Sequence, residues 1–105
     1  MSEFVGLLTR LKPGMEAAHD DAHRRVPPEL LAAHRNAGIR RWLIFRDGLD
    51  LFHCIECDAY DLAIAQLAQL PVNQRWQAEM ARYTEVAHDH SGAASDRLRL
   101  IFDGG

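Results

Sequence analysis

Long apolar runs are missing from this sequence. None approaches the ~20 residues needed to span a bilayer, so a membrane partner is not expected. The opening Met1-Ser2-Glu3-Phe4 has no basic stretch leading into an apolar core, which argues against a secretory signal and for a cytoplasmic protein. Charge of one sign is also lacking. The net charge is −3, with acidic and basic residues interspersed, and without a basic stripe to neutralise phosphates nucleic acid is not expected as a partner. Cysteine is scarce: Cys54 and Cys57 stand three apart in an apolar run that reads as a strand. Residues three apart on a strand point to opposite faces, so two packed thiols in a reducing compartment are expected rather than a disulfide or a shared metal. Internal repeats and a linker are absent, which leaves one domain over residues 1–105. At this length a domain buries only ~60–70% of its unfolded surface, so a homodimer interface is a natural supplement.

What is present reads as alternating strands and helices. Phe4 to Leu11 is a short, mostly apolar run that Lys12-Pro13-Gly14 ends. From Met15 the period becomes helical, with Ala18, Ala22 and Val26 on one stripe. Pro27 and Pro28 interrupt it, since neither can donate an N–H. A second helical segment begins at Pro28-Glu29 and ends at Ala37-Gly38. Ile39–Arg46 and Leu49–Cys57 then flank Asp47-Gly48, the dipeptide favoured by a two-residue type I′ turn. That turn sets Arg46 against Leu49, Ile44 against Leu51 and Trp42 against His53. One hairpin face then carries Trp42, Ile44, Leu51, His53 and Ile55. The other carries Leu43, Phe45, Phe52 and Cys54. Both are largely apolar, so both should be covered, one by helices and one by a second subunit.

Asp58 reads as the N-cap of a helix through Tyr60, Ile64 and Leu67 that Pro71 stops. Val72, Trp76, Met80 and Tyr83 mark a further helix. Thr84 to Asp96 reads as an exposed loop carrying His88, Asp89 and His90, and Arg97–Phe102 as a half-exposed last strand. The order predicts an α+β fold of ferredoxin-like layout, an antiparallel sheet with helices on one face.

Candidate chemistry gathers around histidine and tryptophan. His19 and His23 stand four apart on the first helix, so their rings share a face. A neutral imidazole titrates near pH ~6.5, which suits acid/base work at neutral pH. A zinc site would need a third ligand, and Asp20-Asp21-Ala22 between the pair is not the spacer of an HExxH helix. An indole beside a polar cleft packs its face on the C–H face of a sugar ring, while its N–H can donate to a hydroxyl. Trp42 and Trp76 are the two available.

These residues fall into a recognisable order. Leu11-Lys12-Pro13-Gly14, then His23, then Pro28-Glu29-Leu30, resembles the opening of the L-rhamnose mutarotases. Ala37-Gly38-Ile39, Ile44-Phe45, Leu51-Phe52 and Glu56 continue the likeness, as do Pro71-Val72, Gln74-Arg75-Trp76 and Met80-Ala81. The resemblance implies a cytoplasmic, dimeric α+β barrel that interconverts the α and β anomers of a deoxy sugar with neither metal nor cofactor. It places the catalytic histidine on His23. The family's tyrosine one turn earlier falls on His19, and a tyrosine that contacts sugar falls on Trp42. Trp76 is kept from a tryptophan pair whose second member is Gln77, and Pro27 stands where a tryptophan precedes the PEL stretch. On this basis His23 and His19 are the expected acid/base pair, with Trp42, Trp76 and His53 contacting a small-molecule sugar substrate. Two other readings stay open. The same barrel layout hosts cofactor-free monooxygenases and heme-degrading ones, in the latter of which a helical histidine could ligate the heme iron, and the third reading is a module that binds a sugar or other small ligand without turnover.

Overall fold

The computed structural model describes residues 2–85 and 97–105. The elements run β1 (Glu3–Arg10), α1 (Glu16–Ala22), a 3₁₀ turn (His23–Arg25), α2 (Pro28–Asn36), β2 (Ile39–Asp47), β3 (Asp50–Cys57), α3 (Tyr60–Ala68), α4 (Pro71–Ala81) and β4 (Arg97–Leu98). The strands form one antiparallel sheet in the order β2-β3-β1-β4. This is the ferredoxin-like α+β layout read from the sequence pattern.

Strand alternation decides which side of the sheet the helices cover. Along β1, Val5, Leu7 and Thr9 are buried, while Phe4, Leu8 and Arg10 are exposed. Val5, Leu7, Ile39, Ile55 and Cys57 pack against Tyr60, Ala63, Ile64 and Leu67 of α3. A second cluster, Leu11, Ala22, Leu51, Met80 and Tyr83, joins the sheet to α1 and α4. Backbone bonds pin the end of α4 to the end of β1, from Lys12 N–H to Tyr83 O and from Glu85 N–H to Arg10 O, each 2.8 Å. The opposite sheet face presents Phe4, Leu8, Phe45 and Phe52, between 39% and 60% exposed. Cys54 is exposed there too, whereas Cys57 is buried, and both are free thiols. The opposed orientation of the pair holds, but only one thiol is packed.

Several local expectations are corrected. The hairpin pairs Asp47 with Asp50, Arg46 with Leu51, Ile44 with His53 and Trp42 with Ile55. Gly48 and Leu49 are therefore the turn residues. A type I′ turn centred on Asp47-Gly48 would need positive φ at Asp47, and among the described residues no non-glycine adopts it, while Gly48 sits at φ 60°. The slip is by two positions. Side chains repeat every two residues, so the two face assignments survive it. Arg40 forms a bulge where β2 begins.

Asp58 does not cap α3. Its carboxylate pairs with Arg40, and the Tyr60 N–H at the helix start instead takes Glu3 Oε1 at 2.7 Å. Along α1 the buried residues are His19 and Ala22, and Ala18 faces solvent. Methyl groups weigh little in setting a helix's rotation, and the bulkier Met15 and His19 take the inward side. The last strand is shorter than expected. Only Arg97 and Leu98 pair with β1, and Leu100, Ile101 and Phe102 are exposed. Among the described residues one strand lies beside them and no helix covers them, so these residues gain too little burial to continue the ladder. Thr84, expected in an exposed loop, is buried and bridges to Leu11. The remainder of that loop at residues 86–96, with His88, Asp89 and His90, lies outside the described residues.

Candidate active site

The site rests on a break in a helix. Val26 and Pro27 are extended, at ψ 126° and 133°, so the 3₁₀ turn that continues α1 cannot run on into α2. The two segments splay apart over the sheet, and a cavity of about 150 Å³ opens beneath them. Its floor is the helix-side face of the sheet and its far wall is α4. His19, His23, Trp42, His53 and Trp76 all line it. The five positions singled out in the sequence thus surround one cavity, although they come from α1, β2, β3, α4 and the 3₁₀ turn.

The rings form two groups. In the first, His19 and His23 have centroids 4.3 Å apart. Trp76 stands edge-on to His23 at 5.3 Å, and Tyr83 stands edge-on to His19 at 6.3 Å. His23 Nδ1 lies 2.9 Å from the His19 carbonyl oxygen. A carbonyl only accepts, so Nδ1 carries the hydrogen and donates it, which leaves Nε2 with the lone pair in the neutral ring. His19 is 5% exposed. Burial, reinforced by the neighbouring His23 and partly opposed by Asp20, lowers its pKa to about 4. At neutral pH His19 is therefore an uncharged ring that holds one N–H and one lone pair.

In the second group, His34 stacks on Trp42 at 5.4 Å with the ring planes 22° apart. Burial lowers the pKa of His34 as well. The Trp42 indole N–H donates to His53 Nδ1 at 3.0 Å, and His53 Nε2 lies 3.0 Å from the Thr9 hydroxyl. Both ring nitrogens of His53 are thus engaged inside the protein. Among the described residues, no three His, Cys, Asp or Glu side chains gather as a metal ion would require.

Reading the sequence missed Thr9, His34, Met80 and Thr84 as lining residues. Thr9 had one available signal: it is a polar residue in phase with Val5 and Leu7 on the buried face of β1. His34 had another, since it follows Leu30 by four positions on α2. Neither spacing says which side of a helix or sheet holds a cavity.

A model of the L-rhamnose mutarotase family matches residues 5–103. The L-rhamnose mutarotase of Paraburkholderia xenovorans (strain LB400) is 34% identical over 91 residues, covering 85% of this chain and 84% of that protein. Among solved structures, L-rhamnose mutarotase from Formosa agariphila matches with a TM-score of 0.78 at 24% identity, over 96% of this chain and 97% of that one. Tetracenomycin F2 cyclase from Streptomyces glaucescens, a type-II polyketide cyclase, matches with a TM-score of 0.65 at 21% identity, over 96% and 95% of the two chains. The two structural likenesses speak to the fold, and the sequence matches speak to descent. By the family model and by identity to its relatives, the chain belongs to the L-rhamnose mutarotase family.

Proposed function

We propose that the protein catalyses exchange between the α and β anomers of a pyranose, L-rhamnose or a close relative, with His23 as the base. Family membership supports this over a monooxygenase or a binding module without turnover. The observation that carries it is the orientation of His23: Nδ1 is tied to the His19 carbonyl, so the basic Nε2 is the free end of a ring that lines the cavity.

Ring opening removes the hydrogen of the anomeric hydroxyl and breaks the bond between C1 and the ring oxygen, which gains a hydrogen. Nε2 of His23 takes the first proton and returns it to the ring oxygen as that bond breaks. The imidazole ends as it began. Rotation about C1–C2 then lets the ring close on the other carbonyl face. His19, uncharged at neutral pH, serves this reading as a hydrogen-bond partner for the reacting oxygens rather than as a cationic acid. General acid/base assistance of this kind contributes ~10²–10⁴-fold. Trp76, held perpendicular to His23, offers an apolar surface to the C–H face of the sugar.

The same reading includes a cytoplasmic homodimer. The open sheet face with Phe4, Leu8, Phe45 and Phe52 supports the dimer, because monomers rarely leave so continuous an apolar patch in water. No described helix is long and apolar enough to cross a membrane. Saturation-transfer NMR between the α- and β-anomer signals of L-rhamnose, with and without protein, tests the activity. Faster exchange with protein is expected. Exchange at the buffer rate for L-rhamnose and for a panel of other pyranoses would refute it.

A further inference from the structure

The acid/base cluster accounts for one part of the cavity and leaves the other unexplained. Around Trp42, three polar side chains from three strands form a directed chain. The indole N–H has no alternative but to donate, so His53 must present a lone pair at Nδ1. A neutral imidazole with its lone pair at Nδ1 carries its hydrogen at Nε2. That hydrogen points at Thr9 Oγ1, 3.0 Å away, so the Thr9 hydroxyl is the acceptor in this contact. A hydroxyl that accepts on one side keeps its own hydrogen for another partner. Thr9 is 6% exposed, lines the cavity, and has His53 as its hydrogen-bond partner among the described residues. The chain is held rigidly. His34 covers one face of the indole, and all three members sit on paired strands with fixed register. A buried hydroxyl whose hydrogen is turned away from His53 leaves a polar group unpaired whenever the ligand has no oxygen to offer.

We propose that Thr9 is a specificity-determining residue of this site, donating a hydrogen bond to one hydroxyl oxygen of the bound pyranose, with His53 and Trp42 as positioning residues that fix the direction of that donation. The inference rests on the sugar reading given above and deepens it. The substrate class is a pyranose bearing an oxygen at the position facing β1, and a sugar deoxygenated there is discriminated against. His53 acts through Thr9, with its own two nitrogens already engaged.

Thr9→Val keeps the shape of the side chain and removes the hydroxyl, and Thr9→Ser restores a hydroxyl. Each variant and the wild type are assayed by saturation transfer on L-rhamnose, L-mannose and their monodeoxy analogues. In the wild type, removing one particular sugar hydroxyl is expected to lower exchange about 2- to 10-fold, the range set by one uncharged hydrogen bond. Thr9→Val should treat that pair of sugars alike, and Thr9→Ser should discriminate again. Nitrogen-15 NMR of His53 should show the hydrogen on Nε2 in the wild type and a mixture of tautomers in Trp42→Phe. Unaltered discrimination in Thr9→Val, or a hydrogen on Nδ1 of His53 in the wild type, overturns the inference and leaves the anomer-exchange reading standing. Should the wild type accelerate no exchange, that reading fails, and titration of the same sugar pairs by NMR decides the inference. Discrimination in binding that Thr9→Val loses supports it. Binding without discrimination, or no binding, overturns it.

Discussion

Burying His19 makes the fold sensitive to acid in a calculable way. An imidazole has an ordinary pKa of 6.5, and in the folded chain that of His19 is lowered to about 4 by burial first and by the charge of His23 second. Above pH 6.5 the ring is neutral whether the chain is folded or not, and it adds no slope to stability. Between 6.5 and about 4 the unfolded chain takes up a proton that the folded chain refuses, so stability falls as the pH falls. Below about 4 both states hold the proton and the loss is complete. At ~1.36 kcal/mol per pH unit, the full loss is about 3 kcal/mol, most of it expressed by pH 4.5. That is a large share of the stability of a domain this size, which is of order 5–15 kcal/mol. The perturbation is His19→Gln, which keeps a polar side chain that does not titrate. Urea unfolding at pH 7.0 and 4.5 measures the difference in each protein. His34, whose pKa burial also lowers, adds slope in the same direction to both, so the quantity read is wild type minus variant. The wild type should lose about 2–3 kcal/mol more than His19→Gln between the two pH values. Equal losses would refute the reasoning.

Other perturbations follow from single contacts. Gly38 ends α2 at φ 91°, and an added Cβ would lie 3.1 Å from Asp58 Oδ2, so Gly38→Ala should destabilise by about 1–2 kcal/mol in thermal or urea unfolding. Glu3→Ala removes the carboxylate that holds the first N–H of α3 and should cost about 1 kcal/mol by the same assay. Phe45→Asp places a charge on the open apolar face, where Phe45 is 60% exposed. Sedimentation should show a dimer for the wild type and a monomer for this variant, with unchanged far-UV circular dichroism.

Much of the architecture was legible because local chemistry and tertiary packing agree. Pro13-Gly14, Pro27-Pro28, Gly38 and Pro71 stop or start elements where the backbone requires it, and two apolar runs around a glycine could hardly be other than a hairpin. The register of that hairpin was not legible, because Asp47-Gly48 and Gly48-Leu49 both offer a glycine to a two-residue turn. The β2–β3 pairing itself, with Asp47 opposite Asp50 and Ile44 opposite His53, distinguishes them. The start of α3 was misread for a related reason. Asp58 is the local capping candidate, whereas the carboxylate that does the capping is Glu3, 57 positions away in sequence. In the site, the shared face of His19 and His23 follows from helical spacing, but the burial of His19 does not, since an Ala18/Ala22/Val26 stripe fits the same helix with a different rotation. The Trp42–His53–Thr9 chain joins residues 11 and 44 apart. No local pattern encodes such a contact, and only the assembled sheet brings its members together.

The central claim is that the imidazole of His23 moves the proton in anomer exchange. Saturation-transfer NMR on L-rhamnose with His23→Ala, its folding verified by circular dichroism, tests this most directly. Loss of ~10²–10⁴-fold in the catalysed exchange rate is the expected result. A folded His23→Ala protein that exchanges the anomers as fast as the wild type would contradict the claim.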